Sequence, residues 1–327
     1  MNHVPKVESA PAGFERFALL ANGNLEIGGE FVTDGPLSDV HSNSSVSLKS
    51  SKARFTGNIT AGSSITAGSG IQAGNYRASV AAGNSVVNNG ENVAVARAAV
   101  DEVLAGNELY NAIVFLADGN VKVITNGVTI ITAPSQMDGS WQYDAAGGGW
   151  SVSGSSVSVE PAIIVEGNLS VNTEKFTLRA PLFVKGNLLA SGTVTIDIGN
   201  PFEQALVADG GIEARDLNVI GQIHAGGDLI VTDNLDVTGT VAAGGNVTLG
   251  GKTRLTYLDT VYKAAMFAAQ QKFGETLLVH SQVFRGLADG RNSVALFTFV
   301  KGYRQLDEET LLRKIRDNAL NQSDYYS

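Results

Sequence analysis

The residues best equipped for chemistry lie between Ala133 and Gly154, in the stretch APSQMDGSWQYDAAGGGWSVSG. It holds both tryptophans of the chain, Trp141 and Trp150, with Tyr143 between them and Asp138 and Asp144 alongside. Aromatic rings beside carboxylates are what a sugar-binding groove uses, since the apolar face of a sugar stacks on a ring while its hydroxyls bond the acids. The same rings can instead plug a core or pin the loop down, because Trp and Tyr bury a large apolar body and have one polar atom to satisfy. Both readings stay open, with Trp141, Tyr143 and Trp150 as the candidate carbohydrate-binding residues and polysaccharide as the candidate ligand.

A second set of groups is acidic: Asp197, Asp209, Glu213, Asp216 and Asp228 could act as paired acids and bases if the fold aligned them along one side. The four histidines, His3, His41, His224 and His280, are far apart in sequence. His224, flanked by two residues expected to point inward, is expected on the surface. There is no phosphate-binding loop, no glycine-rich dinucleotide turn, no nucleophile elbow and no His-Glu-x-x-His pair. Cysteine is absent, which removes disulfides and thiolate metal sites. The Gly-Gly-x-Gly-x-Asp repeat of calcium-binding rolls is missing too. No catalytic centre, cofactor or metal site is expected.

The elements that must position these groups follow from one period. From Asp216, apolar residues recur every six positions at Leu217, Ile223, Leu229, Leu235, Val241 and Val247. Neither a helix near 3.6 nor a simple strand near 2 produces that spacing. Each has a second small or apolar residue two places on, at Val219, Ala225, Val231, Val237, Ala243 and Leu249. Residues i and i+2 of a strand share a face, so each hexad supplies a short strand with two inward side chains and then a corner. The corners are rich in Gly, Asn and Asp, such as Gly221, Gly226, Gly227, Gly244 and Gly245. Three sides make a triangular turn of roughly 18 residues, and stacked turns make a parallel β-solenoid.

The period returns at Ile59, Ile65 and Ile71, with Ala61, Ala67 and Ala73 as the second inward residues. In between, a looser Gly-Asn-apolar unit recurs: GNLEIGG at Gly23, GNVKVI at Gly119, GNLSVN at Gly167 and GNLLASG at Gly186. The predicted fold is therefore mainly β, a parallel β-helix over residues 17–252 behind a tail of residues 1–16. Insertions fall at about 90–106 and 133–154. Asn92 to Gly106 has helical apolar spacing, with Asn92 as N-cap and Gly106 as stop, and is expected to pack over an end or side of the coil.

Residues 253–327 leave the period and predict a small α/β domain. A helix is expected from Leu255 to Phe273, a strand from Ser293 covered on both faces, and a final helix carrying Leu311, Leu312, Ile315 and Leu320 inward. This domain is expected to cap the last coil or to dock on a partner. The coil at Phe17 to Gly29 is then expected to be the less protected end, with exposed parallel strand edges that invite pairing.

Charge narrows the partners. Residues 1–252 hold 13 basic against 24 acidic residues, net −11, whereas residues 253–327 hold 10 against 8, net +2. An acidic solenoid argues against nucleic acid, which needs a basic stripe. No run of 18 apolar residues is present, so no membrane span is expected, and the N-terminus lacks the layout of a signal peptide. A surface location would need a leader cut from this sequence, or another protein as carrier.

The units RFALLANGNLEIGG, SDVHSNSSVSL, PAIIVEGNLSVN, PLFVKGNLLASG and ALVADGGIEARDL resemble the solenoid region of bacterial PilX-type pilus-assembly accessory proteins, and more distantly the polymer-forming bactofilins. The resemblance covers roughly residues 17 to 250. It implies a non-enzymatic, surface-related structural role, with copies of itself or other pilus or surface subunits as partners, and transfers no functional residue. PilX-type proteins begin with a membrane-inserting helix, which this chain lacks, and bactofilins are bare coils without its insertions. The expected role is an extracellular or cell-surface structural subunit that assembles as a homo-oligomer or filament, with a cytoplasmic polymer as the alternative location. The alternative function is a polysaccharide-binding or polysaccharide-degrading β-helix module, as in tailspikes and adhesins.

Overall fold

The six-residue period closes into a triangular coil. In the computed structural model Leu217 lies beside Leu235, Ile223 beside Val241 and Leu229 beside Val247, each in parallel register and 18 positions apart. All six side chains are at most 1% exposed. The structure describes residues 17–67 except 36, 37, 51 and 58; the pairs 72–73, 85–86 and 100–101; residues 111–132 and 140–258; and the pairs 277–278 and 298–299.

The first side of the triangle is built from short strands such as Leu182–Val184, Gln222–Ala225 and Val241–Ala243. The second and third sides are the two halves of longer strands, Asn168–Leu178, Leu188–Asp197, Ile212–Ile220 and Leu229–Thr238, whose register breaks at the corner between them. In the next coil the two sides separate into Val247–Leu249 and Lys252–Thr256. The solenoid thus extends to Thr256. Leu255 sits in the core, and Tyr257 and Leu258 are buried behind it, so the helix expected from Leu255 does not begin there.

The coils do not stack in chain order. Phe17–Ala21 pairs in parallel with Val241–Ala243, Leu25–Ile27 with Val247–Leu249, and Phe31–Asp34 with Lys252–Thr256. Along the first side the nine parallel strands start at residues 111, 162, 182, 204, 222, 241, 17, 39 and 59. The chain enters in mid-stack, winds to one end, and re-enters at the other to run back to its own beginning. The coil at Phe17 is therefore not an uncovered end: it is seated on the last coil of the C-terminal run. The phases match, since Thr256 pairs with Thr238 and Leu19 with Val241, so two residues between Thr256 and Leu19 would continue the coil as the chain does from Thr238 to Val241. The side chain of Arg254 bonds Asp34 across this seam at 3.1 Å.

Residues 73 and 111 lie toward opposite ends of the stack. Between them the strand Ser85–Val86 and the helical residues Val100 and Asp101 are described. The Val100 amide donates to Asp209 Oδ1 at 2.6 Å, and Asp101 pairs with Lys185, which also reaches Glu166. Val100 packs on the outer face of the first side, against Phe183, Val207 and their neighbours. The rest of the helix expected over residues 92–106 lies outside the described residues.

The Gly-Asn unit has a structural cause. At the corner between first and second sides, Asn168 Oδ1 accepts the Asn187 amide at 2.9 Å, and Asn187 Oδ1 accepts that of Gly211 at 2.7 Å. Asp228 Oδ1 takes the Asn246 amide at 2.6 Å, and Asn246 Oδ1 that of Asn24 at 2.9 Å, so the ladder crosses the seam. The preceding glycines are set by close approach: a Cβ on Gly244 would lie 2.3 Å from the Gly226 carbonyl oxygen.

The end that starts at residue 111 is closed by antiparallel additions. Asn111–Phe115, Val121–Thr125 and Val128–Thr132 form a meander, and Trp141–Asp144 folds back on Gly149–Val159. At the other end Ser85–Val86 lies antiparallel to Ser64–Ala67. In the C-terminal region Leu277–Leu278 pairs antiparallel with Thr298–Phe299, the latter within the strand expected from Ser293. The two helices expected in that region lie outside the described residues, apart from 255–258.

Candidate functional site

The aromatic set is carried by the hairpin that closes one end of the stack. Trp141 stacks on Phe115 with centroids 4.1 Å apart, and Trp150 meets Phe115 edge-on at 4.9 Å. Phe176 closes the other side of Trp141 at 6.1 Å. Trp141 and Trp150 are 5% and 2% exposed, and the Trp150 indole N–H donates to the Leu116 carbonyl at 2.9 Å. Tyr143 is half-buried, tilted against Trp150, with its hydroxyl on the Ala117 carbonyl. The rings form the lid of the hydrophobic core, and of the three only Tyr143 has surface to offer a sugar. Asp144 is exposed, and Asp138 lies outside the described residues.

Because the indoles end the core, truncation should act on stability. Trp150→Ala is expected to cost about 3–5 kcal/mol, with a lowered thermal midpoint in calorimetry. Loss of oligosaccharide binding at an unchanged midpoint would instead place the ring in a binding surface.

Of the five acids, Asp209 and Asp228 sit at the corner between first and second sides, in adjacent coils. Asp209 holds the Val100 amide, Asp228 is part of the ladder, and Asp197 accepts the Gly199 amide. Glu213 is exposed on the second side. Burial pushes the Asp216 carboxyl up, but hydrogen bonds from Asn234 and the Arg215 guanidinium outweigh it and hold the group below its usual range. Asp197, Asp209, Asp216 and Asp228 are each engaged in a local hydrogen bond.

His224 corrects an expectation. It does point away from the core, as alternation with Ile223 and Ala225 requires, yet it is only 4% exposed. The outer face of the first side is covered along the stack, through Ile164, Phe183, Val207, His224, Ala242, Leu20 and His41 in successive coils. The signal was in the sequence: first-side strands read as unbroken apolar runs such as FALLA, AIIV and LFV, whereas the other sides alternate. Unbroken runs mark strands buried on both faces. His41 bonds Thr60 Oγ1 at 2.6 Å and Asn43 Oδ1 at 3.0 Å. His3 and His280 lie outside the described residues.

The corner between second and third sides shortens along the stack. Three residues turn it at 153–155 and again at 172–174, two at 191–192, and Arg215 alone in the next coil. The surface steps inward there and leaves a recess of about 400 Å³, lined by Gly154, Ser155, Asn172, Thr173, Glu174, Ser191, Gly192 and Arg215. Gly192 keeps the floor low, since a Cβ there would sit 1.8 Å from the Thr173 carbonyl oxygen. The Thr173 hydroxyl is fully buried and has no hydrogen-bond partner among the described residues, an arrangement that costs about 1–3 kcal/mol if nothing polar meets it. Arg215 uses Nε to reach Asp216 at 2.9 Å and Asp233 at 3.7 Å, and its side chain is half exposed.

No family model, curated protein or solved structure matches this chain.

Proposed function

We propose that the protein is a structural, non-enzymatic β-solenoid that serves as an assembly subunit at the bacterial surface, in the manner its PilX-type and bactofilin-like units imply. The observation that carries this reading is the strand Val128–Thr132. It is the outermost strand of its sheet among the described residues, and Val128, Ile130 and Ile131 are 64%, 63% and 65% exposed. Alternation puts Val128 and Ile130 on one face of the strand and Ile131 on the other, so this outermost strand offers apolar surface on both faces. Native proteins cover or charge such an edge, because it templates pairing with another chain. A second subunit would cover it by adding a strand, and the rigid stack behind it would hold successive subunits in line.

The test is association of the purified chain and of Ile130→Lys. Charge at an edge strand opposes pairing, and the substituted residue contributes nothing to the core. Concentration-dependent oligomers or filaments in light scattering and electron microscopy are expected for the parent chain and should be lost in the variant. A parent chain that stays monomeric at high concentration would remove this reading.

A further inference from the structure

We propose that the recess at the shortened corner binds a neutral saccharide, across which Glu174 and Arg215 act as a polar pair. This site is distinct from the aromatic hairpin and does not depend on the assembly reading. Its lining is mainly polar, with the side chains of Ser155, Asn172 and Ser191, one carboxylate and one guanidinium. Sugar hydroxyls both donate and accept, and this set offers both roles. Glu174 accepts; Arg215, whose terminal nitrogens have no hydrogen bond among the described residues, donates.

Charge selects the class. Glu174 and Arg215 cancel within the lining, and Asp216 and Asp233 at Arg215 already compensate the guanidinium, so an anionic sugar meets no net attraction. Size is set by the coil spacing. Glu174 and Arg215 belong to strands two steps apart, Asn168–Leu178 and Ile212–Ile220, with Leu188–Asp197 between them. That is about 10 Å along the stack, the span of two linked sugar rings.

The experiment titrates the full-length chain with neutral hexose oligomers of two to four units, and in parallel with uronic-acid oligomers, by calorimetry and saturation-transfer NMR. Binding of at least one neutral oligomer is expected. It should weaken tenfold or more in Glu174→Ala, and be blocked in Ser155→Trp, which fills the recess from an exposed position; neither should shift the thermal midpoint. Arg215→Ala should weaken it similarly, and since that variant also frees Asp216, the first two decide if it folds poorly. Absence of neutral-oligomer binding at millimolar concentration, binding confined to uronic acids, or binding indifferent to Glu174→Ala and Ser155→Trp would each overturn the proposal. These outcomes are independent of whether the parent chain polymerises.

Discussion

Leu229→Asp is expected to leave no folded solenoid. Leu229 is fully buried, lies beside Ile212 in one neighbouring coil and Val247 in the other, and belongs to a continuous core. A carboxylate there would have apolar neighbours on both sides along the stack. Even neutralised by a raised pKa, it replaces a packed side chain with an unsatisfied polar group, at a cost of several kcal/mol or about the whole stability of a typical domain. Neighbouring coils share that core, so the damage should spread instead of staying in one strand. Loss of the far-UV β signal or recovery only as aggregate is the expected result, with Leu189→Asp, at an outward position 47% exposed, as the matched control that folds. A Leu229→Asp chain that melts within a few degrees of the parent would mean that the inward ladder is not the core.

The second large effect is expected at the seam. A Cβ on Gly29 would lie 1.8 Å from the Gly251 carbonyl oxygen and 2.5 Å from its carbon, both backbone atoms that no rotamer change can move aside. Gly29→Val should therefore prevent residues 17–34 from seating on residues 241–257. It removes the Gly28 amide bond to Leu249 at 2.7 Å, the Thr253 bond to Glu30 at 2.7 Å and the Tyr257 bond to Asp34 at 2.9 Å. Because the two runs meet through non-covalent contacts at this point, the expected outcome is sub-global opening and not uniform weakening. Amides at residues 17–34 and 247–257 should lose protection in hydrogen exchange before those at 182–225. Glu26→Val is the control: it sits in the same coil but its side chain is 44% exposed and its bond to Lys49 is a surface ion pair. Uniform protection in Gly29→Val would sink the seam as a separable joint.

Most of the coil was legible in advance because its cause is local. A strand that buries two residues and then turns must repeat an apolar, x, apolar pattern with small or amide-bearing corners, so Leu217 to Leu249 gave both the 18-residue turn and the inward set. The recurring Gly-Asn pair is local in the same sense, since each side chain serves the amide of an adjacent coil and each glycine makes room for it. The aromatic cluster was visible as composition only. Whether Trp141 and Trp150 face solvent or the core depends on where the hairpin lands, and it lands on Phe115 and Phe176 at the end of the stack.

By itself the sequence determined the repeat, the inward residues and the glycine- and asparagine-rich corners, because these follow from side-chain volume and backbone sterics within a few residues. The tertiary structure alone decided the order of the coils. Leu19 can stack on Val241 as well as on any residue of its own run, since every coil presents the same ladder of amides and carbonyls; nothing within a hexad says which neighbour it takes. It also decided the recess, which exists because corners of three, two and one residues happen to lie over one another. Corner length is written in the chain, but the alignment of corners 19 to 24 residues apart is a property of the stack.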